Sequence, residues 1–212
     1  MTVELVIGTH NRKKGAEIAA ILASPGLDLK TLDDFPDAPV PVEDGETFEQ
    51  NAIKKATELA DALGRAVVAD DSGLEVPELD GEPGVHSARY AGEHGNDRRN
   101  IKKLLNELEG VPENRRAARF RSVAALAVPG RLLATATGRL DGVITEAPRG
   151  AGGFGYDPVF YLPERGRTCA ELSPEEKNAV SHRGRAFREM GRRLPGLLGV
   201  GEQSGPQEAE DK

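Results

Sequence analysis

The stretch VVADDSGLEVPELDGEPGVHSARYAG, residues 67 to 92, constrains this chain more than any other. It opens as a buried strand, because Ala66, Val67, Val68 and Ala69 are apolar and partly β-branched. The strand is expected to end in Asp70 and Asp71, then Ser72 and Gly73, where the chain leaves a sheet and enters a cleft. Two adjacent carboxylates at such a point suit a hard cation or a proton. The alternative is an Asp-Ser-Gly turn, since these are ordinary turn formers. The segment that follows is rich in Gly and Pro. It nevertheless carries His86, Arg89 and Tyr90, side chains that a linker does not need.

Net charge bears on what such a cleft accepts. The formal charge of -7 argues against an extended nucleic-acid-binding face, but leaves room for a small cationic pocket around a phosphorylated ligand. With 212 residues, 38% hydrophobic and 30% charged, the chain reads as a soluble globular protein. One ample domain or two small lobes is expected over residues 1–200, followed by a disordered polar tail at 201–212, GEQSGPQEAEDK. No apolar run is long enough to span a bilayer, and MTVELVIGTHNRKK lacks the pattern of a signal peptide. The single cysteine, Cys169, excludes an intrachain disulfide and any cysteine-based zinc cluster. A cytoplasmic location is the expectation.

Taken in order, Val3 to Ile7 is a short apolar strand. The polar loop Gly8-Thr9-His10-Asn11-Arg12-Lys13-Lys14 leads into a helix with Ala16, Ile18, Ala19, Ile21 and Leu22 on its apolar face. Such a loop either offers donors to phosphate or simply caps the helix through Thr9 or Asn11. Leu27 to Leu32 reads as a second strand, and Asp33 to Gly45 as a connector holding Glu43 and Asp44. Thr47 and Gln50 form a capping box that starts a helix ending at Gly64, with Asn51 and Lys55 one turn apart on one face. Asp97 to Glu109 is amphipathic. The arginines at 115, 116, 119 and 121 are expected to be solvated flanks. Phe120 to Val128 and Leu132 to Gly138 are strands joined by a Pro129-Gly130 turn.

Two later stretches carry chemistry. PRGAGGFGYDPVF, residues 148 to 160, sets Phe154 and Tyr156 among glycines, a pattern that lets backbone and rings approach a flat ligand. TCAELSPEEKNAVSHRGR, residues 168 to 185, caps a helix with Ser173-Pro174 and gathers Lys177, Ser181, His182 and Arg183. The final helix, with Ala186, Phe187, Met190 and Leu194 inward, is expected to end near Pro195-Gly196. Alternating strands and helices with one hairpin give an α/β protein with a mixed sheet. Acids in one loop and cations in several others suit a metal-bridged polyphosphate.

Together these motifs closely resemble the inosine/xanthosine triphosphate pyrophosphatase family. The family's T-G-N-x-x-K-x-x-E corresponds to Thr9, His10, Asn11, Lys14 and Glu17, and its S/T-F-x-E-N-A-x-x-K-A to TFEQNAIKKA. The Asp-Asp-Ser block runs from Ala69 to Gly92, G-G-F-G-Y-D-P-x-F from Gly152 to Phe160, and the Lys-Ser-His-Arg block from Thr168 to Ala186. The resemblance covers roughly residues 3 to 195, with the motifs in the family's order.

The resemblance implies an elongated mixed β-sheet with flanking helices and two lobes around a central nucleotide cleft. It implies Mg²⁺-dependent cleavage of ITP, dITP or XTP between the α- and β-phosphates by a homodimer. It makes Asp71 the proton acceptor and a metal contact. Glu43 becomes the second metal carboxylate, with Asp44 and Glu46 as alternatives in the same loop. Thr9, His10, Asn11, Arg12, Lys13, Lys14 and Lys55 would hold the triphosphate, and Ser72 would touch the substrate. Phe154, Gly155, Tyr156, Asp157, Lys177, His182 and Arg183 would form the base and sugar pocket. His10 stands where the family usually has Gly, and Gln50 where it often has Glu.

Overall fold

Leu5, Val6 and Ile7 are buried on both faces of β1 (Val3–Ile7), as befits a strand with parallel neighbours on either side. The computed structural model describes residues 2–93 and 95–199. Those neighbours are β2 (Leu27–Thr31) and β3 (Val67–Glu75). From β3 onward every pairing is antiparallel, through β4 (Ala117–Val128), β5 (Arg131–Ile144), β6 (Phe160–Leu162) and β7 (Arg167–Thr168). The result is one mixed sheet in the order β2-β1-β3-β4-β5-β6-β7. The expected tail at 201–212 lies outside the described residues.

The strand expected to stop at Asp70 and Asp71 continues through them to Glu75. β4 pairs with β3 along its whole length, from Val67 opposite Ala127 to Glu75 opposite Arg119, so the backbone groups are satisfied by the sheet rather than by a turn. Alternation then sends Val68, Asp70, Ser72 and Leu74 to one face, and Val67, Ala69, Asp71 and Gly73 to the other. Gly73 has no room for a side chain. A Cβ there would lie 2.4 Å from Ser87 Oγ, a hydroxyl that instead accepts from the Leu74 amide at 2.8 Å.

Helices cover both faces. α2 (Phe48–Leu63) opens on the expected capping box of Thr47 and Gln50 and closes on Gly64 at φ 66°. Its Ala52, Ala56, Leu59 and Ala60 pack on Val67, Ala69, Val123 and Ala125. α1 (Arg12–Leu22) and α5 (His182–Leu198) cover the opposite face. There Ile18, Phe187, Met190 and Leu194 meet Leu5, Ile7, Val68 and Leu126. Each such large apolar side chain contributes about 1.5–3 kcal/mol on burial. A third cluster lies under α3 (Asp97–Glu107), where Leu104 and Leu108 meet Leu74, Phe120 and Phe160. The short helix α4 (Pro174–Val180) runs into α5 through Ser181, which ends the first and caps the second.

Three sequence expectations are corrected. Ala16 is exposed rather than part of the apolar face of α1. Arg116 is buried, not a solvated flank, because its guanidinium donates to the carbonyls of Leu108, Ile144 and Thr145. α5 runs past Pro195 to Leu198, since Leu197 and Leu198 pack on the core and offset the hydrogen bond that proline withholds.

Candidate active site

Because Asp70 and Asp71 leave β3 on opposite faces, each meets a different set of partners. On the α5 face, Asp70 Oδ2 accepts from Arg183 Nε at 3.3 Å and lies 3.7 Å from Lys14 Nζ. Burial alone would raise this carboxyl. The charges of Lys14 and Arg183 overcome it and hold Asp70 far below the ordinary carboxylate range. On the α2 face, Asn51 Nδ2 donates to Asp71 Oδ2 at 3.1 Å, and Lys55 Nζ lies 3.3 Å from Asp71 Oδ1. Asn51 and Lys55 reach one carboxylate because they sit one helical turn apart. Burial here prevails, with the charge of Glu43 adding to it, and the Asp71 carboxyl is pushed up.

Lys55 joins Asp71 to Glu43, whose Oε1 accepts from Nζ at 2.6 Å. Burial opposes the charge on Glu43, but Lys55 outweighs it and lowers the carboxyl. Among the other acids of that loop, Asp44 turns outward to Lys54 at 2.6 Å and Glu46 is exposed. Arg89 Nη2 donates to the Glu43 carbonyl at 3.2 Å and so clips the loop to the segment after β3.

A chamber of about 610 Å³ opens over this face, lined among others by Thr9, His10, Asn11, Lys14, Glu43, Lys55, Asp71 and Arg89. A narrower pocket of about 110 Å³ lies beside it, between Phe154 and the Lys177, His182 and Arg183 cluster. Asn11, Lys14, Ser72 and Ala88 line both. The two therefore adjoin across these shared walls, the one acidic and cationic, the other aromatic.

The narrow pocket is held by ion pairs. Lys177 Nζ reaches Asp157 Oδ2 at 2.5 Å and Glu17 Oε1 at 2.8 Å. Arg183 reaches Glu17 Oε2 at 2.7 Å and donates to Ser72 Oγ at 2.7 Å. Lys177 Nζ and the Arg183 guanidinium lie 4.4 and 5.5 Å from the centre of the Phe154 ring. Burial, reinforced by Arg183 and Lys177, drives His182 well below its ordinary value, so its ring is neutral. Asp157 Oδ2 accepts from the Phe154 amide at 2.9 Å, and Asp97 Oδ2 from the Gly155 amide at 2.8 Å. These two bonds set the glycine-rich turn.

Not every residue singled out in the sequence arrives at the recess. Asn11 caps α1, its Oδ1 accepting from the Lys13 and Lys14 amides, and also lines both cavities. Arg12 points outward to Asp33 at 3.2 Å, and Lys13 Nζ lies 3.5 Å from the Gly153 carbonyl, away from the chamber. Tyr156 is buried, with its hydroxyl donating to the Ser87 carbonyl at 2.9 Å. It walls the pocket from below, and only Phe154 keeps a partly open ring. Glu17, Arg89 and Asp97 are partners to which residue-level reading gave no role, and Asp70, read there with Asp71 as a carboxylate for a cation or a proton, instead pairs with Arg183 and Lys14. Glu17 and Lys14 lie one turn apart on α1, the spacing that signalled a shared face for Asn51 and Lys55.

Divalent-cation binding can be judged from the donor set. Among the described residues no group of three or more His, Cys, Asp and Glu side chains forms a closed cage. Glu43 and Asp71, bridged by one lysine at the chamber wall, fit a hard cation that keeps water and substrate oxygens as its other ligands.

The fold and recess define an α/β protein whose mixed sheet presents a two-carboxylate chamber beside an aromatic, cation-rich pocket. The chain belongs to the Ham1 family, whose sequence profile matches residues 5–193. It is 56% identical over 196 residues to the dITP/XTP pyrophosphatase of Geobacillus kaustophilus (strain HTA426), covering 92% of this chain and 96% of that one. It is also 56% identical over 183 residues to the dITP/XTP pyrophosphatase of Geobacter sulfurreducens (strain ATCC 51573 / DSM 12127 / PCA), covering 86% and 92%. A solved HAM1 protein from Coxiella burnetii superposes with a TM-score of 0.83 at 39% identity, covering 92% of this chain and 100% of that one.

Proposed function

We propose that this chain hydrolyses non-standard purine nucleoside triphosphates, ITP, dITP and XTP, to the monophosphate and pyrophosphate. The observation that carries this reading is that the two cavities adjoin, with Asn11, Lys14 and Ser72 in the walls of both. It gives one extended ligand a base end and a polyphosphate end. The relatives named dITP/XTP pyrophosphatase support the substrate class.

In this reading the purine lies against Phe154, and its 6-keto oxygen accepts from the donors gathered at Lys177, His182 and Arg183. A 6-amino group would set donor against donor, which a site built on hydrogen bonds rejects strongly. The triphosphate runs past Asn11 and Lys14 into the chamber, where Lys14, Lys55 and Arg89 offset its charge. Asp71 accepts a proton from water as the water oxygen attacks the α-phosphorus. The bond from that phosphorus to the bridging oxygen breaks, and the oxygen leaves with pyrophosphate. Asn51 and Lys55 fix the two oxygens of Asp71 for this step. Glu43 and Asp71 would hold Mg²⁺, which supplies charge neutralisation on the phosphates when bound. The same reading places two lobes around the recess and makes the enzyme a cytoplasmic homodimer, a state that sedimentation equilibrium tests.

The deciding experiment is pyrophosphate release from ITP, XTP, dITP, ATP and GTP at equal concentration with Mg²⁺, repeated with the metal chelated. Release from the first three, little from the 6-amino purine ATP, and none after chelation is expected, with GTP, which shares the 6-keto oxygen, reporting any discrimination at C2. Equal release from ATP, or a preference for pyrimidine triphosphates, would overturn the pocket assignment.

A further inference from the structure

We propose that Asn51 couples the two carboxylates of the chamber, holding the Glu43 loop and the Asp71 side chain in one fixed relation and so setting their affinity for a divalent cation. This rests on the metal assignment proposed above and makes Asn51 a positioning residue for both acids at once.

Asn51 lies near the start of α2 and is 1% exposed. Both ends of its amide are engaged. Nδ2 donates to Asp71 Oδ2 at 3.1 Å, and Oδ1 accepts from the Gly45 amide at 2.8 Å. The partners fix this orientation, since a backbone N–H can only donate and an ionised carboxylate can only accept. An aspartate here would offer Asp71 no donor, and an alanine would serve neither end.

Gly45 stands two residues after Glu43, so the amide grips the chain that carries one acid while it grips the other acid directly. The approach is close. A Cβ on Gly45 would lie 2.7 Å from Asn51 Oδ1 and 2.9 Å from Gln50 Cβ. The next two amides, of Glu46 and Thr47, donate to Gln50 Oε1 at 2.8 and 3.2 Å, so the loop enters α2 on two consecutive side chains.

Lys55 supplies a second link, from Glu43 Oε1 at 2.6 Å to Asp71 Oδ1 at 3.3 Å. The two links differ in charge. An ammonium that bridges the acids is repelled by any cation they hold. The Asn51 amide is neutral and bonds the other oxygen of Asp71, so it does not compete. It therefore keeps the acids in register whether or not a cation is bound.

The test is Mn²⁺ binding to the full, ligand-free chain, followed by electron paramagnetic resonance, with thermal melts in parallel. Groups that orient metal ligands typically change affinity by about tenfold to a hundredfold when removed. Asn51→Ala is expected to raise the Mn²⁺ Kd within that range. Gly45→Ala leaves the bond from Asn51 to Asp71 alone and displaces only the loop, which Arg89 still holds by the Glu43 carbonyl. It should raise Kd about tenfold, the scale of one hydrogen bond, and it decides alone if Asn51→Ala does not fold. Because both changes cut one link, the double variant should bind no more weakly than Asn51→Ala. In kinetics with ITP, raised Mg²⁺ should restore kcat more fully in Gly45→Ala, where Asp71 keeps its donor, than in Asn51→Ala. A lowered Tm with unchanged Kd in Gly45→Ala, the mark of a purely structural role, would overturn the proposal, as would additive losses in the double variant. Wild type that bound no Mn²⁺ would instead overturn the metal assignment beneath it.

Discussion

Asp70 and Asp71 are adjacent in sequence, yet they point to opposite faces of the sheet and meet opposite fates. Asp70 is locked under Arg183 and Lys14 and serves as the counter-charge for a buried guanidinium. Asp71 opens on the chamber and is held by Asn51 and Lys55. A pair of acids that reads as one feature in the sequence is thus two devices, one for holding the pocket and one for chemistry.

Asp71→Asn is expected to lower pyrophosphate release from ITP by about 10³-fold, within the range of a lost general base, while the melting temperature barely moves. Asp70→Asn should do the reverse to stability. It leaves the Arg183 guanidinium buried with less compensation and should cost about 3 kcal/mol in urea unfolding. Equal loss of activity and unchanged stability in both variants would refute the division of roles.

The two carboxyls also predict opposite responses to acid. Asp70 has a folded pKa below its unfolded value of about 3.9, so its stabilising contribution is complete above that value and is lost only as pH falls toward the folded one. The stability gap between wild type and Asp70→Asn should therefore stay constant from pH 7 to about 5 and narrow below about pH 4. Asp71 is shifted upward, so its protonation in the folded enzyme begins above the ordinary carboxylate range. In the metal-free chain the Asp71 carboxyl, followed by ¹³C NMR, should therefore titrate above about pH 4, and a lower midpoint would overturn this assignment.

Glu17 carries a third prediction, because among the described residues it is the acid that pairs with both Lys177 and Arg183, at 2.8 and 2.7 Å. Glu17→Gln keeps the shape and removes the charge that holds both cations. An increase of about tenfold in KM for ITP is expected, with kcat changed less, as the donors lose their fixed aim. Steady-state kinetics on the variant, with ATP as control, measure this.

Much of this site was legible because the residues that build it obey local rules. The capping box at Thr47 and Gln50, the one-turn spacing of Asn51 and Lys55, and the Ser173-Pro174 helix start all occur as the sequence implies. What escaped depends on long-range pairing. β3 runs through Asp71 because β4, which begins more than forty residues later, supplies its ladder, and no local signal encodes that. Arg116 reads as a surface charge until the carbonyls of Leu108, Ile144 and Thr145 converge on it from two other segments. Arg12 and Lys13 look like phosphate ligands by position, but helical geometry turns them away from the face that carries Lys14.

The aromatic pair separates stacking from scaffolding. Phe154 is partly open and sits beside Lys177 and Arg183, whereas Tyr156 is buried with its hydroxyl on the Ser87 carbonyl. Phe154→Ala removes the surface on which a base would lie. Stacking of a base on an aromatic ring is worth about 1–3 kcal/mol, so KM for ITP should rise between about fivefold and a hundredfold with little change in Tm. Tyr156→Phe removes one buried hydrogen bond and nothing that faces the ligand. It should cost about 1 kcal/mol of stability and leave KM near the wild-type value. Parallel kinetics and thermal melts on the two variants distinguish the roles. A large KM effect in Tyr156→Phe would mean that the base lies deeper than the Phe154 ring, against the buried wall.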